Sequence, residues 1–480
     1  MTIPKEVKKV LTELKTAGFE AYIVGGCVRD VLLGKEPKDW DVTTNAKPEE
    51  IQKVFSDSFY ENKFLTVTVR TSSETIPEIE ITTYRTEAGY SDKRHPDEVQ
   101  YAKTLDEDLS RRDFTVNAMA MDEDEKVIDL FDGKKDLKAK IIRTVGNPNE
   151  RFNEDALRML RAARFATTLS FEIEPETAAA IVKNNVWLEA VSKERVRDEL
   201  VKIIMADKAA DGIELLRKLE LLKFILPELQ ENYGVGQNKH HIYDCYEHAV
   251  KALEFTAKKK LGLDVRLAAL FHDIGKPKTK SGDGKDSTFY NHEVVGAKMT
   301  FQILNRLKFP KKQVEKIVTL VRYHLFYYNV EEVGEASVRR LVKNVGPENM
   351  EELLQLRQAD RIGSGVPKAE PYKLRHLKYI IEKVSKDPIS AKMLKVNGKN
   401  VMDLLGEKPG PKVGFLLNIL LGYVLDNPEN NTKEFLEAKV SELGKLSEKE
   451  LQTLSEKADS KVETVETKED EMTKQKYWVS

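Results

Sequence analysis

The chain has 480 residues, 78 Lys and Arg against 80 Asp and Glu, and a formal net charge of −2. At roughly 100–200 residues per domain this length implies several domains, and 33% charged with 40% hydrophobic residues describes a soluble globular protein. The near-neutral balance excludes a histone-like binder whose whole surface attracts nucleic acid, while leaving room for a basic groove offset by acidic surface elsewhere.

Met1–Val10 is lysine-rich and amphipathic, without an apolar signal-peptide core. Ala21–Val24 predicts a short strand ending in Gly25-Gly26, and Val28–Leu33 a short helix closed by Gly34. Trp40–Thr44, Phe64–Arg70 and Glu78–Tyr84 predict strands, being rich in Val, Ile and Thr with partial alternation. Thr86–Asp108 is a long polar segment with Gly89 and Pro96, read as a flexible insertion. Beyond Arg151 three- and four-residue apolar spacing takes over, in Ala156–Ala166, Arg195–Met205 and Ile213–Leu222. The apolar stretch Val413–Leu425 follows the turn signal Pro409-Gly410-Pro411; Asn418 and Gly422 interrupt it, and it is too short to span a bilayer. From about Gly444 Lys and Glu crowd out apolar residues, so Ser447–Lys476 is expected to be frayed helix or disorder. Cys27 and Cys245 are too few and too far apart for a disulfide framework or a cysteine zinc site, which suits a reducing compartment. The expectation is a cytoplasmic protein without membrane association, and the sequence indicates no protein partner.

Chemistry first gathers at Asp39 and Asp41, which sit at i and i+2 on a predicted strand and so share a face. Two neighbouring carboxylates repel, and a divalent cation such as Mg²⁺ relieves that repulsion. Two such ions can activate an attacking hydroxyl and neutralise a leaving pyrophosphate. The bare amides of Gly25-Gly26, at a strand-to-helix turn, can cradle phosphate oxygens, with Arg29 one turn further on. Taken singly, an Asp-x-Asp is more often a solvated strand edge and a Gly-Gly pair merely a turn.

Together, Gly25-Gly26-Cys27-Val28-Arg29-Asp30, Leu33-Gly34 and Asp39-Trp40-Asp41 resemble the nucleotidyltransferase superfamily related to DNA polymerase β. More narrowly, the sequence is similar to the class II CCA-adding tRNA nucleotidyltransferases and bacterial poly(A) polymerases. Arg111-Arg112-Asp113-Phe114-Thr115-Val116-Asn117-Ala118-Met119-Ala120, Asp129–Leu137 with Gly133 and Asp136, Glu154-Asp155-Ala156-Leu157-Arg158 and Ser192–Leu200 continue the match in order. Phe64-Leu65-Thr66-Val67 departs from it, since the family usually has Gly before Thr-Val.

The resemblance implies an α+β protein, with a mixed α/β, polymerase β-like palm in the head and an all-helical neck, body and HD domain behind it. The expected boundaries are residues 1–140 for the head, 141–235 for the neck, 236–365 for the HD domain, 366–443 for the body and 444–480 for a flexible charged tail. Asp39 and Asp41 are then the catalytic Mg²⁺ ligands, with Glu80 a candidate third carboxylate whose strand register the sequence leaves open. Gly25, Gly26, Arg29, Arg112, Asp155, Arg158, Arg161 and Arg164 bind nucleotide, and Arg111 is an alternative to Arg112. Asp155 and Arg158, at i and i+3 on one predicted helix, can accept from the exocyclic amine and donate to the bare ring nitrogen that cytosine and adenine share. Uracil and guanine present a carbonyl and an N–H at those positions, and an unpaired buried polar group is expensive. An ordinary intrahelical salt bridge is the plain alternative. In the family the polar segment Thr86–Asp108 goes with full CCA addition.

His248, His272-Asp273, His292, His324 and Asp360 resemble the HD phosphohydrolase pattern; His248, His272, Asp273 and Asp360 form a second expected metal site, suited to a transition metal. The leading reading is addition of C, C and A to the 3′ end of tRNA from CTP and ATP, with the acceptor arm recognised by shape and backbone. The alternatives are a poly(A) polymerase of the same family and an HD-type phosphohydrolase acting on RNA ends. A purely RNA-binding role is disfavoured by the intact acids.

Overall fold

The computed structural model describes residues 3–61, 66–88, 98–238, 242–282, 284–330, 332–366, 368–385 and 390–479. The architecture is α+β, as expected. The N-terminal segment forms a sheet from β1 (Ala21–Val24), β2 (Asp41–Thr44), β3 (Ser58–Glu61), β4 (Thr66–Arg70), β5 (Glu78–Thr83), β8 (Met119–Met121) and β9 (Val127–Asp129). Their order is β3-β4-β5-β2-β1-β8-β9, and β2 with β5 is the one parallel pair among them. Alternation explains how β5 sits in the sheet: Ile79, Ile81 and Thr83 are buried, while Glu78 and Glu80 face out. The helix Lys5–Thr16 buries Val7, Val10, Leu11 and Leu14, an i, i+3, i+4, i+7 stripe, in a core shared with Ile23, Val42, Val67 and Ile81.

Phe64 and Leu65, the departure from the family pattern, lie outside the described residues, and β4 begins at Thr66. The ends of the polar segment expected to be a flexible insertion are ordered. β6 (Arg85–Ala88) and β7 (Glu98–Tyr101) pair as an antiparallel hairpin, and Leu105–Ser110 is a helix capped by the Thr104 hydroxyl. Residues 89–97 lie outside the described residues.

Helices follow: Pro148–Glu154, Leu157–Leu169, Lys193–Met205 and Ala209–Lys218, then Cys245–Lys258, Leu263–Phe271, His292–Arg306 and Lys311–Tyr323. The chain divides into two compact units, Met1–Leu325 with Glu351–Ala369, and Phe326–Met350 with Glu370–Ser480. Residues 326–350, which the sequence groups with the HD segment, therefore pack with the C-terminal unit. In that unit Lys383 of the helix Tyr372–Ser385 pairs with Glu335, the first residue of the helix Glu335–Val345, at 2.9 Å.

The charged segment expected to fray is instead one 30-residue helix, Glu448–Tyr477. Its physical cause is a sparse apolar stripe: Leu451 joins the core around Leu416, Leu420 and Val440, with Leu454 and Val462 packed against it. A Cβ on Gly422 would lie 3.1 Å from the Ala458 Cβ, so the helices Pro411–Asp426 and Glu448–Tyr477 meet through their small residues. Among the described residues no helix is long and apolar enough to cross a membrane.

Behind the head's sheet, the helix Gly133–Ala139 is seated against the segment that leads into β8. A Cβ at Gly133 would fall 2.4 Å from the Thr115 carbonyl oxygen and 2.8 Å from Met119 Cγ. Gly133→Ala is therefore expected to cost about 1–3 kcal/mol by overpacking, read as a lower thermal midpoint by circular dichroism; an unchanged midpoint would show that the helix can shift freely.

Candidate active site

β1 delivers the chain into Gly25, whose φ of +82° is left-handed. A Cβ there would lie 2.8 Å from Arg112 Nη1 and 3.8 Å from Asp41 Oδ2, so the glycine turn, the arginine and the carboxylate adjoin one another. Asp39 is exposed, in a bend before β2, and only Asp41 is on the strand, as its first residue. The expected strand Trp40–Thr44 begins one residue early, and Asp39 precedes it, because Trp40 is buried without joining the sheet. Burial raises the pKa of the Asp41 carboxyl; Arg112 opposes the rise and Asp39 adds to it. In the parallel β2–β5 ladder Asp41 is opposite Glu80, which settles the register left open by the sequence and puts Glu80 on the face of Asp41. Carboxylate oxygens are the hard donors that Mg²⁺-type ions favour, and the half-buried Asp41 has the exposed Glu80 opposite it in the ladder and the exposed Asp39 near enough to act on its charge.

The arginines expected at the nucleotide divide into two groups. Arg111 and Arg112 both pair with the fully buried Asp108, at 2.8 and 3.6 Å, but Arg112 is the one that reaches the glycine turn. Despite its burial, those two guanidiniums hold Asp108 below the usual carboxylate range. Arg29 is itself buried: Nη1 donates to Asn117 Oδ1 at 2.7 Å and Nε to Asp30 Oδ1 at 2.9 Å. Arg161 donates to Asp113 Oδ2 at 2.8 Å and Arg164 to Glu199 Oε2 at 2.7 Å. The Arg29, Arg161 and Arg164 guanidiniums lie 5.2, 5.4 and 3.5 Å from the centre of the Phe165 ring. These three form a web joining the glycine turn to the neck, where the sequence reading had them meeting phosphate or steadying the base-selecting pair.

Asp155 and Arg158 do not share a helix. One helix ends at Glu154, Asp155 is extended at φ −138° and ψ 105°, and the next helix begins at Leu157. The reason is local: the Asp155 carboxylate accepts from the Leu157 N–H at 3.0 Å, a capping contact that Asp makes readily. Both its oxygens also accept from Arg195, at 3.2 and 2.6 Å. Arg158 is buried, pairs with Glu154, and donates through Nη2 to the Arg111 carbonyl at 3.0 Å. Asp155 and Arg158 are thus each fixed by a different partner on either side of a helix break.

Sequence reasoning gave no role to Asp108, Asp113, Asn117, Arg195 or Glu199, although all but Asp108 fall in the quoted motifs. The i, i+3 and i, i+4 spacing of Asp108 to Arg111 and Arg112 was a readable signal. The pairings of Asp113 with Arg161 and Asp155 with Arg195 span 48 and 40 residues and left no local trace.

The second cluster is buried within the helices that follow. His248 Nε2 and His272 Nε2 are 2.8 Å apart, and Asp273 Oδ2 lies 3.1 and 3.3 Å from them. Its other oxygen, Oδ1, faces His292 at 3.2 Å and His324 at 3.6 Å, while Asp360 Oδ1 is 3.5 Å from His248 and 3.7 Å from His272. Two ligand triads therefore share one carboxylate: His248, His272 and Asp273, and Asp273, His292 and His324. Nδ1 of His272, His292 and His324 each meets the carbonyl three residues earlier, at 2.8, 2.7 and 2.7 Å, which turns Nε2 inward. Burial lowers the His272 pKa, but Asp273 and Asp360 overcome it and raise it to about 10. Lys276 Nζ sits 2.6 Å from Asp273 and 2.6 Å from Gln237 Oε1. Inward imidazoles around a bridging carboxylate suit one or two divalent transition ions.

Comparison with known proteins extends this geometry. The family model for the Poly A polymerase head domain matches residues 21–143, that for the Probable RNA and SrmB-binding site of polymerase A residues 170–232, and that for the HD domain residues 245–364. The CCA-adding enzyme of Ligilactobacillus salivarius is 36% identical across 91% of this chain and 99% of its own length. The A-adding tRNA nucleotidyltransferase of Deinococcus radiodurans is 37% identical across 83% of this chain and 90% of its own. The crystal structure of the Bacillus stearothermophilus CCA-adding enzyme in complex with CTP aligns at a TM-score of 0.58 and 28% identity, covering 92% of this chain and 97% of that one.

Asp113 gives the site a pH signature. Burial works against its ionised form, but Arg161, Asn117 and Arg158 prevail and hold the carboxyl at about 2, below the ordinary 3.8. A lowered folded pKa contributes stability above the unfolded pKa and loses it as pH falls through the folded value, an effect of about 2 kcal/mol here. Asp113→Asn should therefore be less stable than the wild type at neutral pH, and that difference should shrink on acidification from 3.8 towards about 2, as measured by urea unfolding. A pH-independent difference would separate the stability of this pair from its ionisation.

Proposed function

We infer the reaction from one premise: the chain belongs to the tRNA nucleotidyltransferase family that includes the CCA-adding and A-adding enzymes. It is an enzyme that adds nucleotides to the 3′ end of tRNA. The finer reading is addition of C, C and A from CTP and ATP with release of pyrophosphate. The observation that carries it is the convergence of Asp41, Arg112 and the Gly25 turn, with Glu80 beside Asp41 by strand register.

Mg²⁺ ions held by Asp39, Asp41 and Glu80 would supply charge neutralisation at the triphosphate and lower the pKa of the primer hydroxyl. The chain's own groups do the rest by positioning. The backbone at Gly25 and Gly26 leaves space where a side chain would block approach, and Arg112 faces that space with a guanidinium to donate to phosphate oxygens. Arg195 donates to both oxygens of Asp155 and the Leu157 N–H also donates to Oδ1, which leaves Oδ2 with a second lone pair for the exocyclic amine of cytosine or adenine. Glu154 and the Arg111 carbonyl hold Arg158 while leaving it other N–H groups for the ring nitrogen. Arg29, Arg161 and Arg164 act at one remove, by fixing the elements that carry these groups.

A second reading concerns the other cluster. Its two triads around Asp273 support a bound divalent transition metal and hydrolysis of phosphate esters at RNA ends.

The first test extends a tRNA transcript that ends before CCA, with Mg²⁺ and with CTP and ATP supplied separately and together. Two C additions followed by one A that terminates are expected. A alone, added only to a transcript ending in CC, would mark an A-adding enzyme, and long A tails a poly(A) polymerase. Asp41→Ala is expected to lower the rate about 10³-fold or more. For the second cluster, metal analysis should find a stoichiometric transition ion that His272→Ala loses; no ion in the wild type would remove that reading.

A further inference from the structure

The cavity over the His–Asp cluster encloses about 480 Å³, within the range of small-molecule sites. Its metal ligands account for only part of its lining. Among the cations there, Arg357 donates to Asp360 Oδ2 at 2.6 Å, and Lys276 is held between Asp273 and Gln237. Arg361 differs. It follows the ligand Asp360 on the helix Met350–Gly363, and its buried Nε has no hydrogen-bond partner among the described residues. Among the described residues its guanidinium makes one hydrogen bond, from Nη2 to the Lys368 carbonyl, long at 3.5 Å. Arg361 lines the cavity and pairs with no carboxylate among the described residues, so an anionic oxygen entering there would meet a cation whose charge is not already balanced.

Tyr290 stands on another part of the lining, two residues before the ligand His292, with 78% of its surface exposed. Its backbone is nonetheless fixed. The Phe289 ring is buried, the Phe289 carbonyl meets His292 Nδ1 at 2.7 Å, and Asn291 starts the helix His292–Arg306 from a left-handed conformation. The same contact that orients a metal-binding imidazole thus holds a large aromatic ring out at the cavity's edge. An exposed ring on a rigid support is suited to stacking against a base.

We propose that Tyr290 and Arg361 are the nucleotide-recognising residues of this cavity: a phosphate ester is directed to the His–Asp cluster, its base stacks on Tyr290, and an anionic phosphate oxygen is bound by Arg361. The assignment rests on reading that cluster as a phosphohydrolase site. It separates a nucleotide from inorganic phosphate, which would use Arg361 but not Tyr290. The same recognition chemistry serves a free nucleotide and the terminal nucleotide of an RNA strand.

The test is calorimetric titration of full-length protein with adenosine 3′-monophosphate, the dinucleotide ApAp and inorganic phosphate. All samples carry Asp155→Ala to remove the head's base contact, and their metal content is measured alongside. Tyr290→Ala is expected to weaken adenosine 3′-monophosphate about tenfold or more with phosphate affinity unchanged, and Tyr290→Phe to keep wild-type affinity. Arg361→Gln should weaken all three ligands. Tighter binding of ApAp than of the mononucleotide supports the proposal with a strand end as the source; equal binding supports it with a free nucleotide. Unchanged mononucleotide affinity in Tyr290→Ala, or no mononucleotide binding at all, overturns it. Absence of metal in the wild type would defeat the hydrolytic reading separately, because the titration reports binding and not turnover.

Discussion

Asp113 is buried, ionised and shared between two arginine-bearing parts of the head site, and the placement of the reacting groups follows from how its charge is balanced. It accepts from Arg161 on the helix after the break and from Asn117. Asn117 in turn accepts from Arg29, one turn past Gly25. That chain of contacts runs from the helix Leu157–Leu169 to the glycine turn and ends against Arg112 and Asp41. An uncompensated carboxylate at this depth would be prohibitive, so none of these partners can relax independently.

The two carboxylate centres handle charge in opposite ways. In the head, arginines neutralise the buried Asp108, Asp113 and Glu199, while the Asp41 side is left with its carboxyl pKa raised. That imbalance favours an added cation. In the second cluster the protein itself supplies part of the compensation, through Lys276 beside Asp273 and through the raised pKa of His248 and His272, while burial lowers that of His324. A metal ion entering that cluster would have to displace the protons favoured on His248 and His272.

Much of this was legible in the sequence because it is local. The Gly25-Gly26 turn, the alternation in β5, the helical spacing beyond Arg151 and the His272-Asp273 pair each depend on residues a few positions apart. What was not legible depends on distant contacts or on competition between them. Asp155 and Arg158 looked like one helix face, but the Asp155 side chain caps the following turn and ends that ladder. The C-terminal segment looked too charged to order, yet a handful of apolar residues against Leu416 and Leu420 suffices. Asp113 gave no hint of its role, since its partner is 48 residues away.

The opposition of Asp41 and Glu80 also limits how this chain can change length. Side chains alternate along a strand, so a shift of β5 by one residue relative to β2 would keep the hydrogen-bonded ladder yet turn Glu80 into the core and bring an isoleucine, Ile79 or Ile81, beside Asp41. A single-codon insertion or deletion in the loops between these strands leaves the register intact, because the buried isoleucines hold β5 in place. The same event inside β5 ahead of Glu80 reverses the parity and removes a carboxylate from the site without replacing any amino acid. Tolerance to insertion in this part of the gene should therefore change sharply at the strand ends, independently of how polar or exposed the altered position is.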